Sequence, residues 1–600
     1  MIPPAPFAPL VDLEDERPRQ AVVTSGPAEE AAFLEHVRRG VIGIDARLHT
    51  PEGEKPLLYF DYIASGRFHG AVEDELNARV LPYMANTHTE TSATGRLMTH
   101  YYERAFRRIG EYIGAGPDDV ILPVGSGSTG AVNRLVRIMG LRLPCQLEDR
   151  YALSRHIPQH DRPVIFRSRM EHHSNDIAWR ETIGETVYVP FDDGGRVSLE
   201  HLDTLLEHFR DRPVKIGTFS AASNVTGILN DCHAIARVLH AHGALAFFDL
   251  AAAGPCVDIE LHPRKPDGTP DEGAEMDAVF LSMHKFLGGP RSPGILIASR
   301  SLFTNRVPTE PGGGTVLYTS PDEHLYLQDQ SHRETGGTPP IVGSIQAGLC
   351  FDLKHAIGTR RIRRVEADYL RQAMAEWTHN PDLEILGNLE AERLGVVSLI
   401  FRGLHHNLAV ALLNDLFGVQ VRGGCMCAGP YGHELLHIDE QVSQSIRREQ
   451  ADYLRQAMAE WTHNPDLEIL GNLEAERLGV VSLIFRGLHH NLAVALLNDL
   501  FGVQVRGGCM CAGPYGHELL HIDEQVSQSI RRELEHGHIG IKPGWVRICL
   551  GPTTGESEFQ ALLEAVEFVS RRGHAYRDRY RLIDETGEWR RIEGAGAAAC

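Results

Sequence analysis

The chain has 600 residues, 42% hydrophobic and 23% charged, the profile of a soluble globular protein too long for a single hydrophobic core. A formal net charge of −21 leaves no basic surface to neutralise phosphates, which argues against nucleic-acid or anionic-membrane partners. Only six of the 59 basic residues are lysines (Lys55, Lys215, Lys265, Lys285, Lys354 and Lys542), so chemistry that needs a lysine amine has few candidates.

In chain order, the opening stretch MIPPAPFAPLVDLEDERPRQ lacks the cationic start and apolar run of a signal peptide. No apolar run approaches the ~20 residues of a membrane helix. Ten cysteines are too sparse for a disulfide framework, so a reduced, cytoplasmic protein is expected. Residues 1–56 are expected to pack on a small domain, 57–350 to form a large domain, and 351–600 to form the small domain itself. Within the large domain, DVILPV (119–124), PVIFRS (163–168), VKIGTFS (214–220), ALAFFD (244–249) and AVFLS (278–282) read as buried strands. Helical patterns such as TGAVNRLVRIMG and CHAIARVLHAHG lie between them. Short apolar strands alternating with helices predict an α/β fold, a mostly parallel sheet covered on both faces. Ligands of such sheets bind beyond the carboxyl ends of the strands.

Two strand ends stand out. AVFLS runs into MHKFLGGPRSPG, which puts Lys285 in a turn behind a buried strand. A lone lysine is most often a solvated surface residue, but a desolvated one has a lowered pKa and forms a Schiff base with an aldehyde. ALAFF ends in Asp249, which alone reads equally well as a turn cap. Pyridoxal phosphate needs both residues: an amine for its aldehyde and a carboxylate that keeps its ring nitrogen protonated. PVGSGSTGAVN supplies strand, glycine turn, hydroxyls and helix in that order, so Ser128 and Thr129 face a helix N-terminus suited to phosphate.

Residues 367–449 recur without a mismatch at 451–533. Solenoid repeats diverge and come in larger numbers. An exact pair reads as a very recent tandem duplication or a repeat introduced when the sequence was assembled. Each copy carries VRGGCMCAGPYGH, at 421–433 and at 505–517.

EHHSN (171–175), SNVTGIL (223–229), FLSMHKFLGGP (280–290), ETGGTPP (334–340) and RGGCMCAGP (422–430) stand in the order found in class V aminotransferase-fold enzymes. The chain most resembles their cysteine desulfurase and selenocysteine lyase branch, from about residue 57 to residue 551. The resemblance implies a type I fold of pyridoxal-phosphate-dependent enzymes. It implies that Lys285 bonds the cofactor aldehyde, Asp249 pairs with the pyridine nitrogen, His172 stacks on the ring and Asn224 lies near the phenolic oxygen. Thr129, Ser282 and His284 resemble phosphate ligands, and Thr338 resembles one that reaches a neighbouring subunit's phosphate, which implies a homodimer. Arg547 resembles the arginine that holds the substrate carboxylate. The family's Asp-x-Ala-Gln is DLAA here, with Ala252 where glutamine would bond the phenolic oxygen.

The same resemblance assigns Arg422 and Cys427, or Arg506 and Cys511, to a substrate-binding arginine and a nucleophile that takes sulfur or selenium from a small amino acid and passes it to an acceptor protein. Cys-x-Cys with His433 lacks the spacing of a closed zinc site, so no metal is expected. Two small thiols packed in a turn is the structural alternative, and a nearby arginine favours the thiolate. The two copies tie in sequence. Ala252 and the CMC turn keep open a different reaction of the class, epimerisation or transamination. A cofactor-binding protein inactivated by the repeat is the remaining alternative.

Overall fold

All five apolar runs are strands of one sheet in the computed structural model. It describes every residue except 1–6, 8, 88–90, 405, 425, 440–452, 474–479, 509–519, 537, 550–555, 585 and 593–600. The strands are β1 (Asp119–Val124), β2 (Val164–Arg167), β3 (Glu185–Tyr188), β4 (Lys215–Ser220), β5 (Leu245–Asp249), β6 (Ala278–Ser282) and β7 (Gly294–Ser299), in spatial order β1-β7-β6-β5-β4-β2-β3. Strands β2 to β6 form one parallel set, and β7 alone runs antiparallel, between β1 and β6. Every residue of β2, β4 and β6 is buried, which is why these strands read as continuous apolar runs.

Alternate residues serve the two faces. On one face Phe166, Phe219, Phe248 and Val279 pack with helices α1 (Ala93–Ile113), through Ile109 and Ile113, and with Ile235 and Leu239 of the helix Cys232–Ala241. On the other, Ile165, Phe247 and Phe280 pack with Leu135 and Val136 of α2 (Gly127–Ile138) and Trp179 of α3 (His173–Arg180). The N-terminal residues Leu10, Val11, Leu13, Phe33 and Val37 share a core with α1 and with α4 (Ile341–Ile357). The sheet thus presents the ends of β5 and β6 side by side, with α2 and α3 starting beside them.

The chain forms two compact units, Met1–His437 and Ile438–Cys600. The break falls near the end of the first repeat copy, inside the 351–600 segment expected as one small domain. The first copy is tied to the N-terminal segment: Val419 and Gln420 pair in parallel with Leu58 and Tyr59, and Thr50 Oγ1 donates to the carbonyl of Asp415 at 2.8 Å. In the first unit this copy forms a two-stranded pair, Leu383–Ile385 with Leu399–Phe401, and helix α5 (His406–Phe417).

In the second unit the same letters join a four-stranded sheet, β8 (Leu467–Ile469), β9 (Val480–Phe485), β10 (Arg506–Gly508) and β11 (Trp545–Cys549), in order β8-β9-β11-β10. Helices α6 (His490–Phe501) and α7 (Glu556–Arg572) cover it, and Leu492, Leu496 and Leu497 meet Phe559, Leu563 and Val566. Identical residues therefore have different surroundings. Leu408 and Leu412 are 50% and 39% exposed, whereas their counterparts Leu492 and Leu496 are at 1% and 0%. Among the described residues no helix is long and apolar enough to cross a membrane.

Candidate active site

Lys285 closes a short 3-10 turn, Met283–Lys285, directly after β6, and Asp249 ends β5. Asp249 is buried and Lys285 half-buried, at the end of a doubly covered sheet. Burial is the main force lowering the Lys285 amine from its usual range, opposed by the Asp249 carboxylate. Burial likewise raises the Asp249 carboxyl, while the amide of Ala251, at 2.9 Å from Oδ1, and Lys285 lower it. Each group limits the other's desolvation cost, and each wants a partner of opposite charge.

The cradle forms where β1 turns into α2. Gly127 holds φ +54°, and a Cβ there would lie 2.8 Å from Ser282 Oγ and 2.9 Å from the His284 ring. Only glycine fits, so the backbone approaches these two side chains closely. The Ser128 amide donates to Ser282 Oγ at 2.9 Å, and Thr129 Oγ1 lies 2.6 Å from Ser174 Oγ. Ser174 Oγ is 2.9 Å from His172 Nδ1, and the Ser174 amide donates to the same nitrogen at 3.1 Å. His172 therefore caps α3 with its own ring, leaving Nε2 to carry the proton. Burial first, then Lys285 and His173, push its pKa down to about 4. The ring is a neutral, flat surface near neutral pH.

Behind it lies Glu171, which the sequence did not single out. It is fully buried and accepts from Ser168 Oγ (2.6 Å), Asn175 Nδ2 (2.7 Å) and Ser220 Oγ (2.7 Å). This fixes the turn that carries His172 and His173.

The first cysteine turn reaches this same place. Cys427 is exposed, and its carbonyl accepts from the His173 amide at 2.8 Å. Asn224 Nδ2 donates to the Met426 carbonyl at 2.8 Å, so this side chain is engaged with the turn. Met426 and Cys427 hold φ of 53° and 54°. Two successive left-handed non-glycine residues cost of order 1–3 kcal/mol each and persist only when neighbours impose them. Arg422 pairs with Asp61 at 3.1 Å, a partner 361 positions away that the sequence did not reveal. Thr338 is exposed in its loop, 3.4 Å from Asn86 Nδ2. Ala252 is buried, and its methyl offers no hydrogen bond.

The second unit gathers a different part of the expected set. Arg506 and Arg547 lie opposite each other on β10 and β11. Arg506 also lines a cavity of about 260 Å³ with His490 and Lys542. Cys511, Cys509 and Cys425 lie outside the described residues. No group of three or more potential metal ligands occurs among the described residues.

The first unit thus brings together Lys285, Asp249, Ser128, Thr129, His172, Asn224, Ser282, His284, Arg422 and Cys427. A half-buried lysine and a buried carboxylate at neighbouring strand ends, beside a glycine cradle at a helix start, fit pyridoxal phosphate.

Comparisons agree with this geometry. The family model Aminotransferase class-V matches residues 58–447. A "Probable cysteine desulfurase" of Streptomyces coelicolor is 26% identical over 400 residues, covering 66% of this chain and 88% of the relative. A cysteine desulfurase of Dickeya dadantii is 28% identical over 382 residues, covering 63% and 84%. The apo structure of a cysteine desulfurase from Thermococcus onnurineus NA1 superposes with a TM-score of 0.54 at 21% identity, over 68% of this chain and 91% of that one, which shows a shared fold. The chain belongs to the class V aminotransferase family and is a pyridoxal-phosphate-dependent enzyme.

Proposed function

We propose that this enzyme is a cysteine desulfurase that takes sulfur from cysteine, leaves alanine and carries the sulfur as a persulfide on Cys427. The observation that carries this reading is the seating of the Cys427 turn on the His172–His173 turn and on Asn224, in the same unit as Lys285. The relatives named above are called cysteine desulfurases, which supports the same substrate.

Bound pyridoxal phosphate supplies an aldehyde for amines and a ring that accepts electrons. Ser128, Thr129, Ser282 and His284 would hold its phosphate, and Asp249 would keep its ring nitrogen protonated. Lys285 Nζ, its pKa lowered by burial, is the base that takes the α-proton of the substrate and returns it. Arg422 is the first unit's candidate for the substrate carboxylate, and Asp61 holds it until substrate arrives. Cys427 Sγ, as thiolate, attacks the substrate sulfur. An S–S bond forms as the substrate C–S bond breaks, the C–S electron pair stays on carbon, and protonation there completes alanine. An acceptor protein would then remove the sulfur. Thr338 belongs, on this reading, to the phosphate site of a neighbouring subunit, and sedimentation should show a dimer. Selenocysteine would react by the same steps.

Ala252 favours a second reading. Without glutamine's hydrogen bond at that position, a different reaction of the class, epimerisation or amino transfer, would keep the same Lys285 and Asp249. Sulfide release from cysteine separates the two. It should vanish in Cys427→Ser and persist in Cys511→Ser. Equal loss in both variants, or no loss in either, would overturn the role given to Cys427.

A further inference from the structure

The second histidine of the EHH motif grips the cysteine turn at two points, at Cys427 itself and two residues after it. Its backbone amide donates to the Cys427 carbonyl, and its ring Nε2 accepts from the Gly429 amide at 3.0 Å. A Cβ at Gly429 would come within 3.2 Å of that nitrogen, so the contact is close as well as directed. The first of these bonds falls on the left-handed Met426–Cys427 pair, whose strain requires an outside restraint. Among the described residues, the one other hydrogen bond of this pair runs from Asn224 Nδ2 to the Met426 carbonyl. Ala428, with Met170, Val225 and Tyr431, packs the turn from below.

We propose that His173 is a positioning residue: its bare Nε2, by holding the Gly429 amide, locks the Cys427 turn in the one conformation that presents the thiol. The proposal rests on the reading of Cys427 as the nucleophile and deepens it. The ring must be neutral, with its proton on Nδ1, because a protonated Nε2 would face the Gly429 N–H with a second donor. Burial and Arg180 lower the pKa of His173, in keeping with that state.

The test compares His173→Gln, His173→Asn and His173→Leu in the full-length holoenzyme. Glutamine carries an acceptor oxygen at about the reach of Nε2, asparagine stops one atom short, and leucine has none. All three are made in a Tyr515→Phe background, which gives the second copy's turn peptide a different mass. One readout is amide exchange in the peptide spanning 426–431. The other is kcat and KM for sulfide release. We expect asparagine and leucine to speed exchange there and lower kcat by about ten- to a hundredfold, with KM changed little, and glutamine to restore both. If leucine does not fold, the glutamine and asparagine pair decides. Equal behaviour of glutamine and asparagine, or unchanged exchange without the acceptor, overturns the proposal. Sulfide release that survives Cys427→Ser would instead defeat the reading of Cys427 as the nucleophile, while the exchange comparison would still decide the clamp.

Discussion

Leu408 and Leu492 are the same residue of the same repeat, and truncating each to alanine should give very different losses. Leu492 is 1% exposed on α6 and packs against α7, so its truncation removes buried methyl groups and leaves a cavity. Core Leu→Ala changes cost 2–5 kcal/mol, and about 3 kcal/mol is expected here. Leu408 is 50% exposed, so half of its transfer term is already absent in the folded chain, and no closed cavity is left. Less than about 1 kcal/mol is expected for it. The assay is guanidinium unfolding followed by tryptophan emission. Trp179 and Trp377 lie in the first unit and Trp461, Trp545 and Trp589 in the second, so the signal follows both units. Leu492→Ala should lower the midpoint by roughly 0.7 M, given a guanidinium slope of about 4 kcal/mol per M, and Leu408→Ala should leave it nearly in place. Equal shifts would refute the argument, because they would mean that both helices bury the same face.

Borohydride reduction of the holoenzyme should trap the cofactor on a peptide containing Lys285, and a label on any of the other five lysines would reject this residue. Asp249→Asn should bind cofactor yet lower sulfide release by at least about a hundredfold, since an amide cannot hold the ring-nitrogen proton; near-normal turnover would exclude the assignment. Burial, and next His489, hold the His490 pKa down to about 4. The folded chain therefore binds that proton later than the unfolded one, so stability should fall as pH drops from about 6.5 to about 4. The pH dependence of the second unit's midpoint should flatten in His490→Gln, and an unchanged slope there would reject this source.

Much of the fold was legible because parallel strands buried on both faces leave an unbroken apolar signature. β2, β4, β5 and β6 all did so, and Lys285 and Asp249 follow from them directly. β3 and β7 were not picked out. ETVY begins on a charge and is only half-buried, and GILIAS follows a glycine- and proline-rich turn that reads as loop. His173 and Asp61 escaped for a different reason: each acquires its meaning from a residue more than 250 positions away. Local pattern carries no trace of such a pairing. Nor could the sequence separate the repeats, since what separates them is the company each keeps: Leu58 and Asp61 beside one, β11 and α7 beside the other.

That difference in company sets an unequal future for two identical texts. Mutation strikes both copies alike, letter for letter, yet selection weighs them on different scales. A polar replacement at Leu408, Leu412, Leu416 or Phe417 falls on an exposed helix face and passes almost unpunished. At Leu492 or Leu496 the same replacement buries an unpaired polar group, and in a domain held by only about 5–15 kcal/mol it is purged. Descendants of this chain should therefore drift first along α5, and their two copies should come to look unrelated from that face inward.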